Sequence, residues 1–184
     1  MSLSARFGTL RGLVRLLLSY PEVAFGLAEI RKPDPAAVKR LVFVCQGNIC
    51  RSAFAEVLAR QSGLRAASFG LSTTGDLPAH PPAVAAGHAL GIDLADHRTT
   101  RVEDYVPEEG DLLLAMETRQ LRRIAARTEI AALPRTLLGL YADPAFPHLH
   151  DPYSLSGPYM ETCLRRVANA VNRLGAAFPH ARSV

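Results

Sequence analysis

The chain has 184 residues, of which 48% are hydrophobic, and this is enough to build one compact domain around a sizeable core. Three cysteines are too few for a disulfide framework and fit a cytoplasmic location, while the lack of any run of about 20 apolar residues argues against a membrane-spanning segment. The net charge of +4 arises within residues 1–40, which hold seven basic and three acidic residues. The remainder is neutral, and we expect no nucleic-acid partner.

Residues 1–38 predict a helical, basic extension ahead of a main domain over residues 39–184. One amphipathic helix is indicated by apolar residues at helical spacing, namely Leu10, Leu13, Val14, Leu17 and Leu18. Tyr20-Pro21 is expected to end it, a less regular second helix is expected over residues 22–30, and residues 32–35 predict a linker. We expect the extension to pack on the main domain or on a second copy of the chain. A peripheral contact with an acidic membrane surface or partner is the alternative.

Strand and helix patterns alternate through the main domain. Apolar strands are predicted at residues 41–45, 66–71, 111–115 and near 136–138, and helices at residues 52–62, 82–90, 118–126 and 158–174. This alternation predicts a three-layer α/β fold, in which a four-stranded parallel sheet carries helices on both faces. Ligands of such open sheets bind at the carboxyl ends of the strands.

The residues after the first predicted strand favour phosphate chemistry. Cys45 and Arg51 bracket five residues at a strand-to-helix turn, where backbone N–H groups and the helix dipole attract an anion. The same field favours the thiolate form of Cys45, and Arg51 can grip two phosphate oxygens through its planar guanidinium. Gly47 and Asn48 are expected to supply left-handed backbone angles. Ser52 is placed to donate its hydroxyl to the thiolate.

The run Cys-Gln-Gly-Asn-Ile-Cys-Arg-Ser over residues 45–52 resembles the phosphate-binding loop of the bacterial low-molecular-weight protein tyrosine phosphatases. Later landmarks follow the order of that family and extend the resemblance over roughly residues 38–176: Ser68-Phe69-Gly70-Leu71, Gly91-Ile92-Asp93 before His97, the strand ending in Met116-Glu117, and Asp151-Pro152-Tyr153. The match around His97 is partial, because the closing arginine comes one place late, at Arg101.

The resemblance implies a two-step hydrolysis that uses neither a metal nor a cofactor. Cys45 attacks phosphorus while Asp151 protonates the departing phenolic oxygen, and water activated by Asp151 then hydrolyses the cysteinyl-phosphate. Arg51 holds the phosphate oxygens together with the loop backbone, which comprises Gln46, Gly47, Asn48, Ile49 and Cys50. The resemblance also assigns a supporting hydrogen-bond network to Asn48, Ser68 and His97.

Substrate and acid assignments leave alternatives. Asp143 also precedes a proline, but Asp151 is favoured as the acid because Tyr153 and a helix follow it. Tyr153 predicts one wall of the substrate cleft, with Phe69 or Leu71 as the other, and the expected substrate is a phosphotyrosine protein or a small aryl phosphate.

The sequence leaves two alternative activities and one redox event to consider. A phosphotyrosine-binding scaffold without turnover is the first alternative. A thiol-dependent arsenate reductase is disfavoured, because only Cys163 follows Cys50 and such a reductase needs two further cysteines. Cys45 and Cys50 are near enough in sequence for a regulatory disulfide to be considered.

Overall fold

A parallel β-sheet forms the centre of the molecule. The computed structural model describes residues 2–183. Its four strands are β1 (Arg40–Cys45), β2 (Ala66–Gly70), β3 (Asp111–Ala115) and β4 (Arg135–Leu137), and they lie in the order β2-β1-β3-β4. All three strand pairs are parallel. The predicted fold class is therefore confirmed, and each strand lies within one residue of its predicted bounds.

Within residues 2–183, six α-helices connect or flank these strands. They are α1 (Leu3–Phe7), α2 (Leu10–Ala24), α3 (Arg51–Gln61), α4 (Pro81–His88), α5 (Thr118–Ala125) and α6 (Gly157–Ala177). The four helices predicted in the main domain correspond to α3–α6, and only the carboxyl end of α6 differs by more than two residues.

Alternate residues of the central strand enter two separate cores. Leu41 and Phe43 pack with α3, α4 and α6 on one face of the sheet. Val42 and Val44 pack on the other face, with apolar residues of α5. Because successive side chains of a strand point to opposite faces, this almost unbroken apolar strand is typical of a sheet covered on both sides.

The end of α2 differs from the prediction. The helix continues through Pro21 to Ala24, and no second helix forms over residues 22–30. Pro21 lies in the last turn, where loss of one N–H donor is tolerated more easily than in the middle of a helix. Gly26, at φ 72°, then ends the helix in a Schellman motif, since its N–H donates to Val23 and the Leu27 N–H donates to Glu22.

The extension packs on the main domain. A Cβ on Gly8 would lie 2.7 Å from the Tyr159 ring of α6, and one on Gly12 would lie 2.6 Å from the His150 ring. Arg31 forms an antiparallel β-bridge with Arg135 of β4, and Ala28 is buried in the second core. Among residues 2–183, no helix combines the length and the apolar character needed to cross a bilayer.

Candidate active site

The loop between β1 and α3 turns its carbonyl groups away from its centre. The Gln46 carbonyl accepts from the Ser72 N–H at 2.9 Å, and the Ile49 carbonyl accepts from the His80 N–H at 2.9 Å. The Asn48 carbonyl is bonded to the His97 ring at 2.7 Å. Because carbonyl and N–H point in opposite directions across a trans peptide, the N–H groups that follow these carbonyls face the interior of the loop.

Cys45 lies at the floor of this loop, at the end of β1. Its sulfur is 2.9 Å from the Ser52 hydroxyl and accepts a hydrogen bond from the Asn48 backbone N–H at 3.2 Å. The predicted contact with Ser52 is thus present in the structure. Donors on two sides stabilise negative charge on the sulfur.

Arg51 is buried at the start of α3, with 1% of its surface exposed. Its Nη1 donates to Glu117 and to the Leu149 carbonyl, each at 2.7 Å, and its Nη2 lies 2.6 Å from Asp151 Oδ2. Burial alone would lower the pKa of Arg51, but the Asp151 and Glu117 carboxylates outweigh it and raise that pKa. Nε is buried without a partner among the described residues, so it remains a donor for a bound anion.

Asp151 and Asp143 lie in different places. Asp151 lines the same cavity as Cys45 and Arg51. Its Oδ1 accepts from the Tyr153 N–H at 3.2 Å, which orients the carboxylate in its loop. Asp143 is instead paired with Arg173 on the surface, at 2.5 Å. The geometry favours Asp151 as the acid.

Asn48 anchors the loop to three elements. Its Nδ2 donates to Ser52 at 2.9 Å and to Ser68 at 2.7 Å, and its Oδ1 accepts from the Thr100 N–H at 2.8 Å. Asn48 adopts φ 55°, in the left-handed region, as expected. The same expectation for Gly47 is wrong, because that residue has no positive φ. Within the loop over residues 45–52, the residue with a positive φ is thus also one whose side chain makes three anchoring contacts.

The His97 ring supports the loop by a hydrogen bond to the loop backbone. Its Nε2 is 2.7 Å from the Asn48 carbonyl, and since a carbonyl only accepts, this nitrogen carries the proton. Burial lowers the pKa of His97, although the bond to Asn48 opposes the effect. The three residues assigned to a supporting network, Asn48, Ser68 and His97, are therefore brought together in the structure.

A small cavity opens above Cys45. It has a volume of about 100 Å³ and is lined by Cys45, Gln46, Gly47, Ile49, Cys50, Arg51, Asp151 and Tyr153. Tyr153 is 53% exposed and its ring centre is 5.0 Å from that of His80. The prediction that Phe69 or Leu71 forms the second wall is wrong, because both are buried in the core on the α5 side of the sheet. Ile49 occupies that position instead.

Several supporting residues were missed by the sequence analysis. Glu117 is fully buried against Arg51 and also pairs with Arg119 at 2.6 Å. Burial would raise the pKa of Glu117, but these guanidinium groups outweigh it and hold that pKa at about 2. Arg123 bonds the Gln46 side chain at 2.5 Å. The one signal in the sequence was the acidic residue Glu117 at the end of a predicted strand, which the sequence analysis used only as a landmark of the family.

The three cysteines are free thiols in this structure. Cys50 lines the cavity beside Cys45, and burial together with the neighbouring Cys45 raises the pKa of its thiol. Cys163 is buried in α6, where its sulfur lies 3.6 Å from the His150 carbonyl, and burial raises the pKa of that thiol to about 12. Its position is typical of a core cysteine.

Comparison with known proteins identifies the family of this chain. The sequence model described as low molecular weight phosphotyrosine protein phosphatase matches residues 40–182. The probable low molecular weight protein-tyrosine-phosphatase EpsP of Ralstonia solanacearum is 38% identical over 92 residues, which are 49% of this chain and 63% of that protein. The low molecular weight protein-tyrosine-phosphatase Wzb of Salmonella typhi is 33% identical over 135 residues, covering 70% of this chain and 89% of its own.

Solved structures agree with the sequence comparison. The tyrosine phosphatase Wzb from Escherichia coli K30, crystallised with sulphate, superposes with a TM-score of 0.65 and 27% identity over 74% of this chain and 95% of its own. The Erwinia amylovora tyrosine phosphatase amsI has a TM-score of 0.69 at 24% identity over 80% of this chain and 98% of its own, which shows a shared fold. With the family model covering nearly all of the main domain, the chain belongs to the low molecular weight phosphotyrosine protein phosphatase family.

Proposed function

We propose that this protein is a protein-tyrosine phosphatase, which hydrolyses phosphotyrosine or other aryl phosphate monoesters through a cysteinyl-phosphate. One observation carries the proposal: inward-facing N–H groups, the unpartnered Arg51 Nε and the Asp151 carboxylate surround one small cavity above the Cys45 sulfur. Donors held in place before the substrate arrives stabilise charge on a transferring phosphoryl group without reorganisation.

In the first step, the Cys45 sulfur forms a bond to phosphorus as the phenolic oxygen departs. Arg51 and the loop N–H groups hold the equatorial oxygens, while Asp151 gives its proton to the leaving oxygen. Asp151 Oδ2 pairs with Arg51 Nη2 at the mouth of the cavity. A bound phosphate that takes up Nη2 and Nε of Arg51 replaces this ion pair, so that the Asp151 carboxyl can carry the proton that it gives to the leaving oxygen.

In the second step, Asp151 accepts a proton from water, which attacks the cysteinyl-phosphate. The thiolate then leaves, and the Ser52 hydroxyl and the Asn48 N–H are already within hydrogen-bond distance of it. Stabilising the sulfur as a leaving group lowers the barrier to this step.

The cavity walls favour an aromatic substrate. Tyr153 and Ile49 offer an aromatic ring and an aliphatic side chain to the part of the substrate beyond its phosphate. The deep position of Cys45 favours the long phenolic phosphate of tyrosine over the shorter serine ester. Tyr153→Ser is therefore expected to raise the KM for a phosphotyrosine peptide by a larger factor than the inhibition constant of inorganic phosphate.

The test is release of phosphate from p-nitrophenyl phosphate at mildly acid pH, under reducing conditions and without added metal. Wild type is expected to turn over, Cys45→Ser to be inactive and Asp151→Asn to be strongly impaired. Asp143→Asn is the matched control, because Asp143 lies in an ion pair away from the cavity. A wild type that fails to turn over, or an Asp143→Asn variant as impaired as Asp151→Asn, contradicts the proposal.

The same protein preparation can be used to distinguish the phosphatase from two other activities, a binding scaffold and an arsenate reductase. A scaffold would bind a phosphotyrosine peptide tightly and release no phosphate. A glutaredoxin arsenate reductase of Synechocystis is 29% identical over 82 residues of this chain, but the buried Cys163 is poorly placed to relay a disulfide. A phosphoarginine peptide is a third probe, because two solved relatives of this fold at 22% and 24% identity are arginine phosphatases.

We also propose a cytoplasmic location, because a catalytic thiolate requires a reducing compartment. The N-terminal extension is proposed to mediate a contact outside the catalytic domain, either with a second copy of the chain or with a peripheral surface. Protection of the protein from protease added to intact cells, with Cys45 reduced, tests the first of these statements whether or not the protein is attached to a membrane surface.

A further inference from the structure

The side of α2 that faces away from the domain is apolar. The buried residues of this helix are Gly12, Leu16 and Ser19, which lie along one side. The opposite side carries four exposed aliphatic residues, here called the outer face: Leu10 (77% exposed), Val14 (46%), Leu17 (59%) and Leu18 (57%). A surface helix normally turns its apolar side to the core, so this arrangement is reversed.

Exposed apolar side chains are concentrated in the extension. Among residues 2–183, eleven large hydrophobic side chains are exposed, and eight of them lie between Leu3 and Leu27. The other three are Leu77, Val106 and Tyr153, and Tyr153 belongs to the active-site cavity. Such a concentration marks an interaction surface, whereas single exposed apolar residues do not.

Basic side chains lie along one edge of the outer face. Arg11 adjoins it on α2 and forms no ion pair with any residue that the structure describes. Along the same edge, Leu18 borders a cavity of about 240 Å³ that is also lined by Arg15, Arg119 and Arg122. Burial lowers the pKa of Arg15, and nearby Arg119 and Arg11 lower it further, as expected where positive charge accumulates. Glu22 and Glu117 neutralise part of this charge.

The charge distribution decides which occupant fits. The charges beside the outer face are Arg11, Arg15, Arg119 and Arg122 against Glu22 and Glu117, which leaves an excess of positive charge. A second copy paired through the outer face would bring two such positive surfaces together. An anionic surface is attracted by the same charge. A projecting helix with aliphatic side chains also suits a soft lipid interface, into which the apolar side of an amphipathic helix sinks.

We propose that α2 docks this protein on the anionic surface of a lipid bilayer. Leu10, Val14, Leu17 and Leu18 enter the interface between headgroups and acyl chains, and the flanking arginines contact the headgroup phosphates. The rest of the fold stays outside the bilayer, because the extension is fixed to it through Gly8, Gly12 and the Arg31–Arg135 bridge. The inference does not depend on the proposed phosphatase activity.

Co-sedimentation of the full chain with vesicles tests the proposal. Binding is expected to vesicles of phosphatidylcholine with phosphatidylglycerol, to be absent with phosphatidylcholine alone, and to weaken as salt rises. The triple variant Leu10→Ser, Val14→Ser, Leu17→Ser is expected to bind the anionic vesicles at least about tenfold more weakly than wild type. The matched control, Leu77→Ser with Val106→Ser, removes exposed apolar side chains elsewhere and is expected to bind as wild type does.

A second variant tests the charge without altering the outer face. Arg11→Gln is expected to weaken binding to the anionic vesicles several-fold, and Arg182→Gln, an exposed arginine of the main domain, is expected to leave it unchanged. This pair also decides the matter if the triple variant does not fold, which circular dichroism would show.

Three outcomes would overturn the proposal. Equal binding to neutral and anionic vesicles removes the electrostatic part, and no binding at low salt removes the whole. The third is self-association that the triple variant abolishes, measured by sedimentation velocity, in a protein that does not bind vesicles. That result assigns the outer face to a second copy of the chain.

Discussion

The phosphate-binding loop and the N-terminal extension both contact residues around the candidate site, yet they are held in different ways. The loop is fixed by buried polar contacts, in which Asn48 bonds Ser52, Ser68 and Thr100. The extension reaches the site through a hydrogen bond between Thr9 and His150 and a looser approach of Arg15 to Glu117 at 4.0 Å. The first region is held rigidly by these contacts, and the hypothesis that follows is that the second adjusts a site that is already formed.

Arg51→Lys should cause the largest loss of activity and tests the rigidly held region, the phosphate-binding loop. Lysine keeps the positive charge beside Glu117 but loses the planar fork and the free Nε donor. We expect kcat/KM for p-nitrophenyl phosphate to fall about 10³-fold. Arg119→Lys is the control, since Arg119 also pairs with Glu117 but lies outside the cavity. A fall of less than about tenfold in Arg51→Lys would show that charge alone holds the phosphate.

Asn48 separates loop strain from loop anchoring. Asn48→Ala removes three side-chain hydrogen bonds and leaves a Cβ residue at φ 55°, whereas Asn48→Gly removes the same bonds without the strain. We expect kcat to fall about 100-fold in both variants, and Asn48→Gly to be more stable to urea by about 1 kcal/mol. Full activity in Asn48→Gly would mean that the backbone angle, and not the amide network, shapes the loop.

Glu117 links the loop to acid stability. Its folded pKa of about 2 lies below the usual 4.5, so its contribution is present above pH 4.5 and is lost as the pH falls toward 2. We expect Glu117→Gln to lower the free energy of unfolding at neutral pH by up to about 3 kcal/mol and to flatten its acid dependence in that window. Urea unfolding at several pH values measures this. Glu109→Gln, from a surface pair with Lys39, should change neither quantity.

The two regions also differ in how far sequence could predict them. Cys45, Arg51 and Asp151 were found because a short spacing and a proline-tyrosine sequence carry their chemistry. Glu117 and Thr100 escaped because each meets the loop only after folding brings distant segments together. The prediction that Phe69 lines the cleft was wrong because strand alternation sends its side chain to the face of the sheet opposite the cavity. The ring centre of Phe69 lies there 4.6 Å from that of Tyr105.

The extension was less predictable still. Helical spacing located α2, but it could not say that the apolar side would face outward, because Gly12 and Ser19 look weaker as core residues than Leu10 and Leu17. Leu16 shares the contact with small residues, since a Cβ at Gly12 would lie within 2.6 Å of the His150 ring. Close approach of backbone to ring thus replaced the larger apolar contact that the pattern suggested.

Thr9→Val should give the smallest effect and tests whether the extension adjusts the acid. The Thr9 hydroxyl is 3.1 Å from His150 Nε2, and His150 directly precedes Asp151. Val removes this bond, and it also removes the cap on the Gly12 N–H, whereas Thr9→Ser keeps both. We expect kcat/KM to fall about threefold in Thr9→Val and to be restored in Thr9→Ser.

The leaving group distinguishes positioning of the acid from general loosening of the fold. Phenyl phosphate has a poorer leaving group than p-nitrophenyl phosphate, so its reaction depends more on proton donation by Asp151. If Thr9 positions the acid through His150, Thr9→Val will lose more kcat/KM with phenyl phosphate than with p-nitrophenyl phosphate. An equal loss with both substrates would mean that the extension only stabilises the fold. The loop and the extension would then differ only in how rigidly each is held.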